Sequence, residues 1–135
     1  MKDAHRIVID TNLWISFLLS KKYAFIDKLL SNGTAQLVFC HELLAELMEV
    51  LARPKLKKFF SPEDKKMIFD LIERYADYVI VSSEVNLCRD KKDNFLLALS
   101  KDGDVDFLIT GDNDLLALKK FEATEIITIA EYQMR

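Results

Sequence analysis

The stretch Arg6-Ile7-Val8-Ile9-Asp10-Thr11-Asn12 decides how the rest of the chain is read. Three consecutive β-branched residues, with a basic residue before them and an acid after, have the pattern of a short strand buried on both faces. A strand is therefore predicted over residues 6–10, with Asp10 capping a helix over 11–20. The run Phe107-Leu108-Ile109-Thr110 repeats the pattern and again discharges onto acids, at Gly111-Asp112-Asn113-Asp114. Further short apolar runs predict strands over 36–39, 78–81 and 126–129.

Between these strands the apolar period changes to that of a helix. Helices are predicted over 23–30 and over 41–52, the latter carrying Leu43, Leu44, Leu47, Met48 and Leu51 on one face and stopped by Pro54. Ser61, followed by Pro62 and Asp64, reads as the cap of a helix striped by Met67, Ile68, Leu71, Ile72 and Tyr75. Two more helices are predicted, one beginning at Asp93 and broken at Asp102-Gly103, the other over 113–120. Strands alternating with helices imply an α/β fold: a parallel sheet with helices on both faces. With 135 residues and no repeat, linker or break in composition, the chain reads as one domain over 1–135.

Composition removes several function classes. Half the residues are apolar and 30% are charged, with 3 Gly and 2 Pro, which excludes a disordered or low-complexity chain. The net charge of -3 excludes nucleic-acid binding by bulk charge. Cys40 and Cys88 form neither a CxxC pair nor a ligand set with His5 or His41, so no zinc site or disulfide scaffold is expected. No stretch reaches the roughly 18 uncharged apolar residues of a membrane span, and no signal peptide is visible. The expectation is a reduced, cytoplasmic protein with no membrane partner.

In parallel sheets the working site lies beyond the carboxyl ends of the strands. Asp10 and Asp112 are both expected there, with Asp93 nearby at its helix start. Clustered carboxylates repel unless a proton or a cation intervenes. Oxygen donors without His or Cys select Mg²⁺ or Mn²⁺ over Zn²⁺. Capping accounts for any one of these acids, but less well for two strands that both end on carboxylates. Glu42, Glu46 and Glu49 lie opposite the leucine stripe, and Glu46 is nearest the apolar boundary.

IVIDTN at 7–12, LLAELMEVLARPKL at 43–56, DNFLLAL at 93–99 and DFLITGDNDLLAL at 106–118 together resemble the PIN-domain ribonucleases. The likeness is greatest to the branch described as toxin components of toxin–antitoxin systems, and it runs in order from residue 7 to about 132. The resemblance implies a three-layer α/β/α sandwich with a mainly parallel sheet. It also implies an acidic site that binds one or two Mg²⁺ or Mn²⁺ ions and cuts RNA, single-stranded or structured. Matched by motif, the acids fall on Asp10, Glu46, Asp93 (or Asp90 in the same loop) and Asp112. Asp114 falls as an outer ligand, and Asn12 and Thr110 as orienting groups.

A divalent ion makes water a nucleophile and neutralises the scissile phosphate, so the implied chemistry is hydrolysis without a covalent intermediate. Setting four compensated acids aside leaves 18 acidic residues against 19 basic ones. Arg53, Lys55, Lys57 and Lys58 are then candidates to hold RNA phosphates, with a solvated helix end as the equal alternative. The apolar helices over 11–30 suit a homodimer face or an antitoxin helix. Two rival readings remain. One is a PIN-like scaffold that binds RNA or protein without cutting; the other is a HAD-like phosphohydrolase, whose usual second Asp is replaced here by Asn12.

Overall fold

The computed structural model describes residues 4–134. Its strands are β1 (His5–Ile9), β2 (Ala35–Phe39), β3 (Ala76–Tyr78), β4 (Phe107–Ile109), β5 (Lys120–Phe121) and β6 (Thr124–Ile127). They form a sheet of order β3-β2-β1-β4-β6-β5 in which only β5 is antiparallel to its neighbour. The helices are α1 (Thr11–Leu19), α2 (Tyr23–Ser31), α3 (His41–Leu51), α4 (Pro54–Lys57), α5 (Pro62–Tyr75), α6 (Lys91–Asp102), α7 (Asn113–Leu116) and α8 (Ile129–Gln133). The architecture is the α/β/α sandwich that the strand–helix alternation implies.

β1 lies in the middle of the sheet, and Ile7, Val8 and Ile9 are all fully buried. That burial on both faces is why the run lacks a polar alternation. Trp14, one turn into α1, is also fully buried and packs edge-on against Phe39 of β2, with ring centroids 6.0 Å apart. Its backbone N–H donates to the Asp10 carbonyl (3.0 Å), so core packing by Trp14 anchors the turn that presents Asp10. Truncating such a ring to Ala costs about 3–5 kcal/mol. α6 is held close to the sheet at its end. A Cβ on Gly103 would lie 3.0 Å from both the Leu99 carbonyl oxygen and Val38 Cγ1, so only glycine fits without displacement.

The structure corrects several predicted boundaries. The third strand occupies Ala76–Tyr78, not 78–81, because α5 passes directly into it and pairs Ala76 with Leu37. Gln36 Nε2 donates to the Tyr75 carbonyl (2.7 Å) and fixes that junction. The helix after Asp112 ends at Leu116, not 120, and Lys120–Phe121 turns back to pair with β6. The last strand is Thr124–Ile127, because Thr128 opens α8 through a capping box with Glu131. The helix predicted to begin at Asp93 begins at Lys91, with Asp90 as its cap.

Candidate active site

β1 and β4 are parallel neighbours with Ile9 opposite Ile109, so the chain leaves both strands at the same edge. Asp10 and Thr110 emerge there together, and Thr110 Oγ1 donates to Asp10 Oδ2 (2.7 Å). The same hydroxyl accepts the Asp112 backbone N–H (3.0 Å). One threonine therefore ties the two strand-end acids into a single turn system. Asp10 Oδ1 caps α1 by accepting from Asn12 N (3.2 Å), and Asp112 Oδ1 caps α7 by accepting from Asp114 N (2.8 Å). The capping explanation is correct for both residues, and each keeps a second carboxylate oxygen for other partners.

Asp93 arrives from α6. It is only 5% exposed, yet it sits beside other acids. Burial, together with the charges of Asp112, Asp90 and Asp10, pushes its carboxyl up from 3.8 to about 6. Carboxylate oxygens of Asp93, Asp112 and Asp114 lie within 4.8 Å of one another, a spacing that suits a hard cation. A cavity of about 120 Å³ is lined by Asp10, Glu46, Asp90, Asp93 and Asp112 together with Asn12 and Arg53. A further surface hollow beside it is lined by Asp10, Asn12, Gly111 and Asp112.

A family model described as PIN domain matches residues 6–114. The chain belongs to the PIN-domain family. No curated protein and no solved structure matches it. PIN domains are generally nucleases. The acids in this PIN domain converge on the edge of the sheet where such chemistry is expected.

Each residue picked from the sequence has a definite place in this PIN domain. Asp10, Glu46, Asp93, Asp112, Asn12 and Arg53 line one cavity, and Thr110 is buried beneath it, bonded to Asp10. Asp114 is exposed and joins through its closeness to Asp93 and Asp112, while Arg89 Nη2 holds its two oxygens at 3.0 and 3.3 Å. Asp90 and Asp93 both face the cavity, but Asp90 uses one oxygen to cap α6 (Lys92 N, 2.8 Å). Lys55, Lys57 and Lys58 are exposed on and just after α4, and among the described residues they are not part of the cavity lining.

Three contributors had no signal of their own in the sequence. Arg89 pairs with Asp114, and Lys92 Nζ lies 3.4 Å from Glu46 Oε1, although Lys91-Lys92 reads as plain surface in one dimension. Asn94 is the third. Its Oδ1 accepts from Leu87 N and Cys88 N (3.0 and 2.7 Å), and its Nδ2 donates to the Cys88 carbonyl (2.9 Å). It fastens the loop that carries Arg89 and Asp90 to the first turn of α6, where the helix pattern alone shows only another polar residue.

The donor set fits a divalent hard cation. Its oxygens are carboxylates, burial and acidic neighbours push the Asp93 carboxyl up to about 6, and no His or Cys is among the clustered donors of the described residues. Among the described residues, no helix is long and apolar enough to cross a membrane.

Proposed function

We propose that this PIN domain is a Mg²⁺- or Mn²⁺-dependent endoribonuclease that hydrolyses RNA phosphodiester bonds at the acidic cavity. Asp10, Glu46, Asp93 and Asp112 hold one or two ions, and Asp114 serves as an outer ligand. The observation that carries this reading is the convergence of Asp10, Glu46, Asp90, Asp93 and Asp112 on one cavity, with carboxylate oxygens of Asp93, Asp112 and Asp114 within 4.8 Å of one another. A bound divalent ion supplies the Lewis acidity that activates water and offsets charge on the scissile phosphate.

The protein's own groups do the positioning. Thr110 fixes one oxygen of Asp10 and the backbone of Asp112, which ties the two strand-end turns together. Asn12 lines the cavity beside Asp10 and orients water there. Asp93, whose carboxyl burial and acidic neighbours push up to about 6, would hold a cation in its ionised form. Arg53, at the cavity wall, takes an RNA phosphate, and Lys55, Lys57 and Lys58 extend the basic track away from it. A toxin role, with an antitoxin or a second copy covering the helices over 11–30, is part of the same proposal and rests on the sequence likeness.

The test is incubation of the purified protein with single-stranded RNA in Mn²⁺, against Asp112→Asn. Cleavage by the wild type and its loss in the variant are expected. Equal cleavage by both overturns the assignment of the site. RNA binding without cleavage in either metal favours the scaffold alternative.

A further inference from the structure

The cavity that carries the acids also contains two cations, Arg53 and Lys92, and they are held differently. Arg53 Nη2 lies 3.3 Å from Glu49 Oε1, a carboxylate of α3 that is exposed and, among the described residues, outside the cavity lining. Lys92 Nζ lies 3.4 Å from Glu46 Oε1, and Glu46 is itself a wall of the cavity. Lys92 thus sits on the carboxylate that the nuclease reading assigns to an ion. An ammonium and a divalent cation cannot both draw fully on one carboxylate, because they repel each other.

Geometry lets Lys92 yield. It projects from the first turn of α6 on a flexible four-carbon stem, and its side chain is 63% exposed while Glu46 is 29% exposed. Ion pairs this exposed are weak and exchange readily. A released Lys92 would remain at the cavity wall beside Arg53, within reach of any phosphate lying over the acids. Arg89 makes a less suitable candidate, since its Nη2 donates to both carboxylate oxygens of Asp114 and it lies, among the described residues, outside the cavity lining.

We infer that Lys92 is an exchangeable counterion: it occupies Glu46 while the cavity lacks a cation, and it passes to an RNA phosphate when a cation claims Glu46. The inference rests on the nuclease reading and assigns to that site a phosphate-binding residue that also limits ion affinity. Loading the cation and gripping RNA then become coupled events, with the same side chain opposing the first and serving the second.

The two roles predict opposite changes in one variant, which a merely structural role would not give. In Lys92→Ala, the Mn²⁺ Kd measured by calorimetry without RNA falls about two- to fivefold. The KM for a short single-stranded RNA rises several-fold in the same variant, and its dependence on salt becomes shallower by roughly 0.7 in logarithmic slope. Lys92→Arg keeps both values near wild type. Lys91→Ala, one residue away and outside the cavity lining among the described residues, changes neither. The melting temperature in EDTA checks that each variant is folded.

Unchanged or weaker Mn²⁺ binding in Lys92→Ala overturns the inference, and so does an unchanged KM. A wild type that neither binds Mn²⁺ nor cuts RNA overturns the nuclease reading and this inference with it. A wild type that does both, with Lys92→Ala indistinguishable from it, overturns this inference alone.

Discussion

A cavity much larger than the acidic one lies elsewhere, away from the strand-end acids. Between α2 and α5 lies a space of about 560 Å³ lined by Ala24, Asp27, Lys66, Met67, Asp70 and Leu71, among others. Its charged groups are largely provided for: Lys66 pairs with Asp70 at 2.9 Å, and Asp27 accepts the Tyr75 hydroxyl at 2.8 Å. The acidic cavity is less than a quarter of that volume, about 120 Å³. There Asp93 is buried among carboxylates that raise its proton affinity. Convergence of several carboxylates distinguishes a working site better than size does, because folding alone has no reason to collect like charges.

The largest effect separating the two regions should come from the strand-end acids. Asp10→Asn and Asp112→Asn are each expected to lower RNA cleavage at least about a hundredfold, since they remove ion ligands. A single-turnover assay in Mn²⁺ checks this. Next comes the cation itself. Mn²⁺ or Mg²⁺ at 100 times its Kd should stabilise the fold by about 2.7 kcal/mol, visible as a rise in Tm that Asp10→Asn abolishes.

Asp93 gives the comparison a pH axis. Its folded-state pKa of about 6 lies above the ordinary 3.8, so the folded chain holds this proton more tightly than the unfolded one. The stability from that proton is fully present below pH 4, is lost as pH rises toward 6, and leaves a constant cost above it. Asp93→Asn should therefore raise stability in EDTA at pH 7.5 by about 1–3 kcal/mol while removing the response to Mn²⁺. A variant less stable than wild type under those conditions would contradict the electrostatic account. The smallest effect belongs to the α2–α5 space: Lys66→Ala breaks an exposed pair and should change stability by less than about 0.5 kcal/mol. RNA cleavage in that variant is expected to stay at the wild-type rate.

How much of this was legible in the chain depends on the range of the forces involved. The strands β1 and β4 could be read directly, because a strand buried on both faces must be apolar throughout, and Asp10 and Asp112 follow from where those runs stop. α6 starts two residues before the position that the sequence pattern predicts. Asp90 and Asp93 are both suited to a helix N-terminus, and only the fastening of the 87–88 backbone by Asn94 decides that Asp90 caps. β5 had no local signal, being two residues long and defined entirely by its partner. α8 did have one, since Thr128 and Glu131 stand at capping-box spacing. Lys92 and Arg89 were invisible as site residues because pairing with Glu46 and Asp114 depends on three-dimensional neighbours 46 and 25 positions away.

Calorimetric titration of Mn²⁺ into the wild-type protein at pH 6, in buffers of different ionisation enthalpy, tests the central claim most directly. The crowded carboxylates should bind the ion, and Asp93, pushed up to about 6 by burial and its acidic neighbours, should release protons on binding, less so as the pH is raised. Saturable binding with that buffer dependence supports a site built to be completed by a cation. No binding, or binding with no proton released at pH 6, would contradict it.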